Sequence, residues 1–342
     1  MKSERLLFIS FALALFPLLN SQLSTAFAQG SLTPPGPPAP TMLTLSQIEP
    51  RTPISSVPYT ITNSGSYYLA SNLNLTVNTN AITIVTNEVT LDLNGFTIST
   101  SVFRGGGDGI LLNGGNTDIT IFNGHITGGN FQYLGSGITY NGASPVTVHV
   151  FNVTVTECIA NGIYLGTNSS TLVEACALQG INVYGIEAGI IMHSQAQSGN
   201  TAIIANYTAS DCVGTSVSGE GVLVNGTANN CYGSSYSSIG LNANNANNCY
   251  GTSTTADGLN VTTALNCYGY SNSGLAGLYA ATANNCFGYN TSPSGYGLYA
   301  GNVAISCYGN DTASGAVGLY ANIANSCDGT STTYNYHYNM PP

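Results

Sequence analysis

The sequence predicts an all-β fold, a parallel β-helix solenoid, and two periodicities predict it. The first is a ladder of cysteines: Cys231, Cys249, Cys267, Cys286, Cys307 and Cys327 recur at steps of 18, 18, 19, 21 and 20 residues. Each follows an alanine by three residues, from Ala228 to Ala324, and each coil between them carries a Gly-Leu pair, from Gly240-Leu241 to Gly318-Leu319. The second lies in the first half, where Ile82, Ile110, Ile138 and Ile163 open equivalent alternating segments at steps of 28, 28 and 25 residues. Repeats of this length cannot bury an apolar face alone and must stack on copies of themselves.

Taken in order, residues 1–28 read as a secretory signal. Lys2 and Arg5 precede the apolar run Leu6 to Leu19, and Ala26-Phe27-Ala28 is a small-x-small cleavage site. The run is shorter than the ~20 apolar residues of a spanning helix. Residues 29–50 hold Pro34-Pro35-Gly36-Pro37-Pro38 and read as an extended linker. Residues 51–73, with Tyr59-Thr60-Ile61 and Ser66-Tyr67-Tyr68-Leu69 around a turn, are expected to cap the first coil. The β-helix is expected over 74–333, followed by a tail at 334–342.

Within the first half, Ala81-Ile82-Thr83-Ile84, Val89-Thr90-Leu91-Asp92-Leu93 and Phe96-Thr97-Ile98 give three alternating strand segments in one coil of 25–28 residues. From Gly221 the coils shorten to 18–21 residues, with Leu, Ala and Cys expected inside. The odd spacing from Ala to Cys requires a bend between them, because strand side chains alternate strictly. Cys158 and Cys176 are expected to continue the column backwards, leaving one coil near Met192 without a cysteine. Stacked thiols that point the same way meet the dihedral demands of a disulfide poorly, so reduced, buried thiols are expected. The longer first coils favour right-handed winding.

Composition excludes several functions. The net charge is −10, charged residues are 5% of the chain, and past the signal only Arg51 and Arg104 are basic. Nucleic acid needs a basic footprint that this chain lacks. No segment beyond the signal is apolar enough to insert in a membrane, so the mature chain is expected outside the cell or in the envelope. The sequence leaves the oligomeric state open.

The segments Pro53-Ile54-Ser55-Ser56-Val57-Pro58-Tyr59-Thr60-Ile61, Gly65-Ser66-Tyr67-Tyr68-Leu69, Val89 to Phe96 and Gly107-Asp108-Gly109-Ile110 resemble secreted bacterial right-handed parallel β-helix repeat proteins of the pectin-lyase-like superfamily. The later Ala-Asn-Asn-Cys-Tyr-Gly and Gly-Leu-Tyr-Ala units are similar to repeats of the same group. The resemblance covers about residues 50–330. It implies fold more than activity, since such folds host lyases, hydrolases and adhesins.

Candidate chemistry is sparse. Asn116-Thr117-Asp118 resembles the first short motif of polygalacturonase-like enzymes, but no Asp-Asp pair, His-Gly or Arg-x-Lys follows it. Glycoside hydrolysis needs two facing carboxylates. Arg104 precedes Gly105-Gly106-Gly107-Asp108-Gly109, a loop that could hold a ligand or a calcium ion, or be a solvated corner. Arg104, Asp108 and Asp118 are therefore the catalytic candidates of a chain read as non-catalytic. No cofactor and no zinc site is expected. His125, His149 and His193 share no repeat position and read as structural.

Tyrosine offers more. Tyr268, Phe287 and Tyr308 each follow a ladder cysteine, and Tyr279, Tyr299 and Tyr320 sit between inward Leu and Ala. Outward aromatics in register can take sugar rings, or cover one another. Three functions follow: a structural or adhesive surface protein, a carbohydrate-binding solenoid using these tyrosines on a polysaccharide or cell-surface glycan, and a polysaccharide lyase or hydrolase.

Overall fold

The computed structural model describes residues 49–103, 106–129 and 133–332. The expected signal, nearly all of the linker, Arg104 and the tail lie outside these residues. The described chain is a parallel β-solenoid of about 13 turns, with 30 strands and no helix. Each turn lays short strands on three faces, here called A, B and C in chain order. Tyr59–Ile61, on face A, pairs in parallel with Ile82–Ile84, and Gly65–Leu69, on face B, with Val89–Asp92. Segment 51–73 thus forms the first coil, and Thr52–Ile54 lies beneath it, paired with residues 67–69.

The three faces follow the apolar alternation, and their inward residues change along the axis. Face A keeps branched side chains throughout, from Ile82, Ile110 and Ile138 to Leu278, Leu298 and Leu319. Face B runs Leu91, Ile121, Val150, Val173, Ile191, then Ala209, Ala228 and onward as alanine to Ala324. Face C runs Leu73, Ile98, Ile126, Val155, Leu178, Ala196, then glycine from Gly214 to Gly329. The interior narrows until backbone meets backbone. A Cβ added at Gly251 would overlap the carbonyl oxygen of Gly258, and one at Gly258 would overlap the backbone of Tyr270. The glycines of Cys-Tyr-Gly and Gly-Leu close the short coil by this contact.

The bend expected between Ala and Cys is a left-handed residue at the corner of faces B and C. Asn230, Asn248, Asn266, Asn285, Ser306 and Ser326 have φ of 53–54°, and Asn123, Asn152, Ala175, His193 and Asp211 hold the same corner in earlier coils. Asn and Asp tolerate this conformation better than other side chains with a Cβ. Here the amides also stack. Asn230 Nδ2 donates to Asp211 Oδ1 at 3.0 Å, Asn248 to Asn230 at 3.3 Å, Asn266 to Asn248 at 3.1 Å, and Asn285 to Asn266 at 2.7 Å.

All nine cysteines are free thiols, eight of them buried. The ladder thiols share one geometry, each directed at the carbonyl two residues earlier, as in Cys231 to Asn229 O at 3.2 Å and Cys267 to Leu265 O at 3.1 Å. Ser194 fills the place in the coil that lacks a cysteine, and its hydroxyl donates to Met192 O at 2.7 Å. Cys158 departs from expectation. It pairs with Ile181 at the far end of a face-C strand, whereas Cys176 lies over the level of Val153, one residue before the Thr154–Ala177 pair. The 18-residue step between the two cysteines imitates a coil, but the true coil there is 23 residues long. Burial pushes the Cys158 thiol up to about 12 and that of Cys176 up to about 11.

Candidate functional surface

Outward residues in these narrow coils repeat in register, so aromatic side chains stack along the solenoid axis. On face C, Tyr232, Tyr250, Tyr268, Phe287 and Tyr308 form one continuous row. Successive ring centroids are 5.2, 4.6, 4.9 and 5.2 Å apart, with interplanar angles of 7°, 5°, 20° and 8°. Tyr270 and Tyr289 form a shorter row beside it, 5.4 Å apart. On face A, Tyr279, Tyr299 and Tyr320 stack at 4.7 and 4.8 Å, and Tyr296 packs edge-on against the last two at 5.1 and 5.8 Å. The coil rise of about 4.8 Å sets these distances. Within each row the rings turn their faces to each other and their edges outward. Desolvation, then the neighbouring phenols, push Tyr250, Tyr268 and Tyr299 above the usual tyrosine value.

Of the acidic candidates, Asp108 is bonded to backbone. Asp108 sits at the corner before face A, where its Oδ1 accepts the Ser136 N–H at 2.8 Å; burial raises its pKa. Asp118 has a φ of 56° and stacks with Glu88 and Thr147, at 54° each, in a second left-handed corner between faces A and B. Asn116 is buried, and its Nδ2 donates to Ile84 O at 3.2 Å and Thr86 O at 2.8 Å, strapping its coil to the one before. The motif that resembled an enzyme thus occupies a corner. Strand Ile110–Asn113 separates Asp108 from Asp118.

Asp118 does line a shallow groove of about 340 Å³ with Thr120, Thr147, His149, Ser170 and Leu172. Beyond it His149 meets other ionisable groups, a relation its scattered sequence position hid. His149 Nε2 is 3.4 Å from Glu174 Oε2, His193 Nδ1 is 3.8 Å from Glu174 Oε1, and His193 Nε2 is 3.6 Å from Asp211 Oδ2. Three register rows meet here: His149 is level with Leu172, Glu174 is level with Phe151 and Met192, and His193 and Asp211 stand in the adjoining corner row. His125 stands apart, exposed on face C. Among the described residues no three His, Cys, Asp or Glu side chains converge as a metal site.

A different groove, of about 310 Å³, runs along the edge of face A and touches a predicted tyrosine. Asn242, Asn244, Asn260, Thr262, Tyr279 and Ala281 line it. Asn242 and Asn260 occupy, one coil after another, the row that Tyr279 continues. Asparagine is so common in this chain that no sequence signal set these two apart.

One more buried group stands out. The inward end of face C carries Ser235, Ser253, Ser271, Asn290 and Asp311 in successive coils. Ser253 and Ser271 donate to carbonyls of the preceding coil's turn, Ser238 O at 2.6 Å and Ala256 O at 2.7 Å, and Asn290 donates to Gly274 O at 3.1 Å. Asp311 is fully buried; its Oδ1 accepts the Ala313 N–H at 3.0 Å, its Oδ2 has no partner, and burial raises its pKa.

No protein-family profile matches this chain, and no curated protein is significantly similar to it.

Proposed function

We propose that this is a secreted, non-catalytic β-solenoid that works by surface contact, as a structural or adhesive element outside the cell or in a bacterial envelope. The five-ring row from Tyr232 to Tyr308 carries this reading. It is a stiff, uncharged aromatic ribbon with its edges outward, on a scaffold whose carboxylates hold corners. Aromatic residues of this kind are enriched at contact surfaces. On the same reading the chain is a member of the right-handed parallel β-helix repeat proteins of the pectin-lyase-like superfamily. In-register parallel pairing and left-handed asparagine corners support that membership.

The test couples two measurements on the mature chain. Bead-immobilised protein should retain bacterial envelope fragments, and it should release neither reducing ends nor unsaturated sugars from pectin, xylan or β-glucan. Sustained product release would sink the reading, and so would a failure to retain envelope material.

A further inference from the structure

We infer that the groove beside Tyr279 is a binding site for an uncharged glycan. This rests on the surface-contact reading and gives it a ligand class. Tyr279 ends its row: one ring face lies on Tyr299 at 4.7 Å, while the residue paired with it in the preceding coil is Asn260, not an aromatic. Its second face therefore looks along the axis over Asn260 toward Asn242, into the groove. The corresponding end of the longer row differs, because the residue paired with Tyr232 is the branched Val213.

Two of the amides around this ring are held by hydrogen bonds, and each keeps its carbonyl oxygen and one N–H for a ligand. Asn260 Nδ2 donates to Asp257 Oδ2 at 3.0 Å, which leaves Oδ1 as the acceptor of that amide. Asn244 Nδ2 donates to Asn225 O, with the same result. Thr262 adds a hydroxyl, and Ala281 leaves room beside the ring. Asp257 is itself buried and engaged by the Ala276 N–H at 2.9 Å, so it acts as an anchor behind the groove. A flat apolar plate bordered by amide carbonyls and a hydroxyl suits a molecule with one C–H face and a rim of hydroxyl donors, which describes a pyranose ring. No lysine, arginine or histidine lines the groove to neutralise an anionic sugar, and burying an unpaired charge there would be costly.

Affinity electrophoresis of the mature chain in native gels decides the matter, with a β-glucan, a xylan, a galactomannan and polygalacturonate as probes. At least one neutral glycan should retard the protein, and Tyr279→Ala and Tyr279→Leu should each weaken retardation tenfold or more. Asn260→Ala should weaken it several-fold. Tyr236→Ala, at an exposed tyrosine outside both rows, should leave it unchanged, and circular dichroism should show all variants folded. Equal retardation of Tyr279→Leu and the parent would overturn the site while leaving surface contact intact. Retardation by polygalacturonate alone would overturn the ligand class. Free migration in every gel would overturn the inference, whereas the surface-contact reading falls only if envelope fragments are not retained.

Discussion

The wide coils before residue 200 and the narrow coils after it solve the same problem with different atoms. In the wide half, isoleucine, leucine and valine from three faces meet in a common core. Burying each such side chain contributes about 1.5–3 kcal/mol. In the narrow half, face B offers alanine and face C offers glycine, so each coil buries far less side-chain surface. What replaces it is repetition: backbone contact at the glycines, an amide ladder at the corner, a thiol column inside and stacked rings outside. The comparison shows that a solenoid can exchange core volume for in-register contacts between identical residues. That exchange demands nearly constant coil length, and the narrow coils keep it.

Changes at the inward position of face C should break this comparison most sharply. Gly251→Val drives a branched side chain into the Gly258 carbonyl and should cost well over ~3 kcal/mol, beyond ordinary overpacking. Soluble folded protein should be lost, or melting should split into two transitions as the narrow half opens first. Ile126→Val, in the wide half, should cost only about 0.5–1.5 kcal/mol.

The next effect concerns charge. Burial raises the pKa of Asp108, Glu187, Asp257 and Asp311, so the folded state favours their neutral forms. Groups raised on folding contribute stability that is fully present below their unfolded pKa, about 4, and lost as pH rises through the folded value. Melting temperature should therefore increase from pH 7 toward pH 5. Asp311→Asn restores a donor where Asn290 and the serines have one, and should stabilise the protein at pH 7 by about 1–3 kcal/mol while flattening the pH profile. A flat profile for the parent protein would refute this.

Smaller effects sharpen the contrast. Ser194 shows that a hydroxyl fits the thiol position between 18-residue coils, so Cys249→Ser should cost about 1 kcal/mol, on the order of one net hydrogen-bond or packing adjustment. A loss above 3 kcal/mol would mean that the narrow column depends on sulfur. Tyr250→Ala removes a ring with two stacked neighbours and Tyr232→Ala a ring with one. At about 0.5 kcal/mol per cross-strand pair, chemical denaturation should show the first loss near twice the second.

The fold was legible because it rests on period. Ile82, Ile110 and Ile138 took face A as expected, the ladder cysteines formed one column, and the Ala-to-Cys bend fell on the asparagines. The misplacement of Cys158 shows where period misleads, since an 18-residue step matched the coil length of a different region. Surface chemistry was less legible. In-register tyrosines were expected, but whether their faces meet solvent or each other depends on side-chain orientation, which spacing does not encode. The approach of His149 and His193 to Glu174 was hidden because it crosses coils of unequal length. The left-handed backbone angle of Asp118 was likewise not legible in the sequence.

The corner amides have a further consequence. An ionised carboxylate can only accept hydrogen bonds, whereas an amide can present either its oxygen or its nitrogen to a given neighbour. Asp211 stands at the start of the ladder, so Asn230 must turn its nitrogen toward it and its oxygen toward Asn248. The same choice is then forced on Asn248, Asn266 and Asn285. One acidic side chain thereby gives a stack of otherwise interchangeable amides a single polarity, and aligns four side-chain dipoles with their positive ends toward its own negative charge.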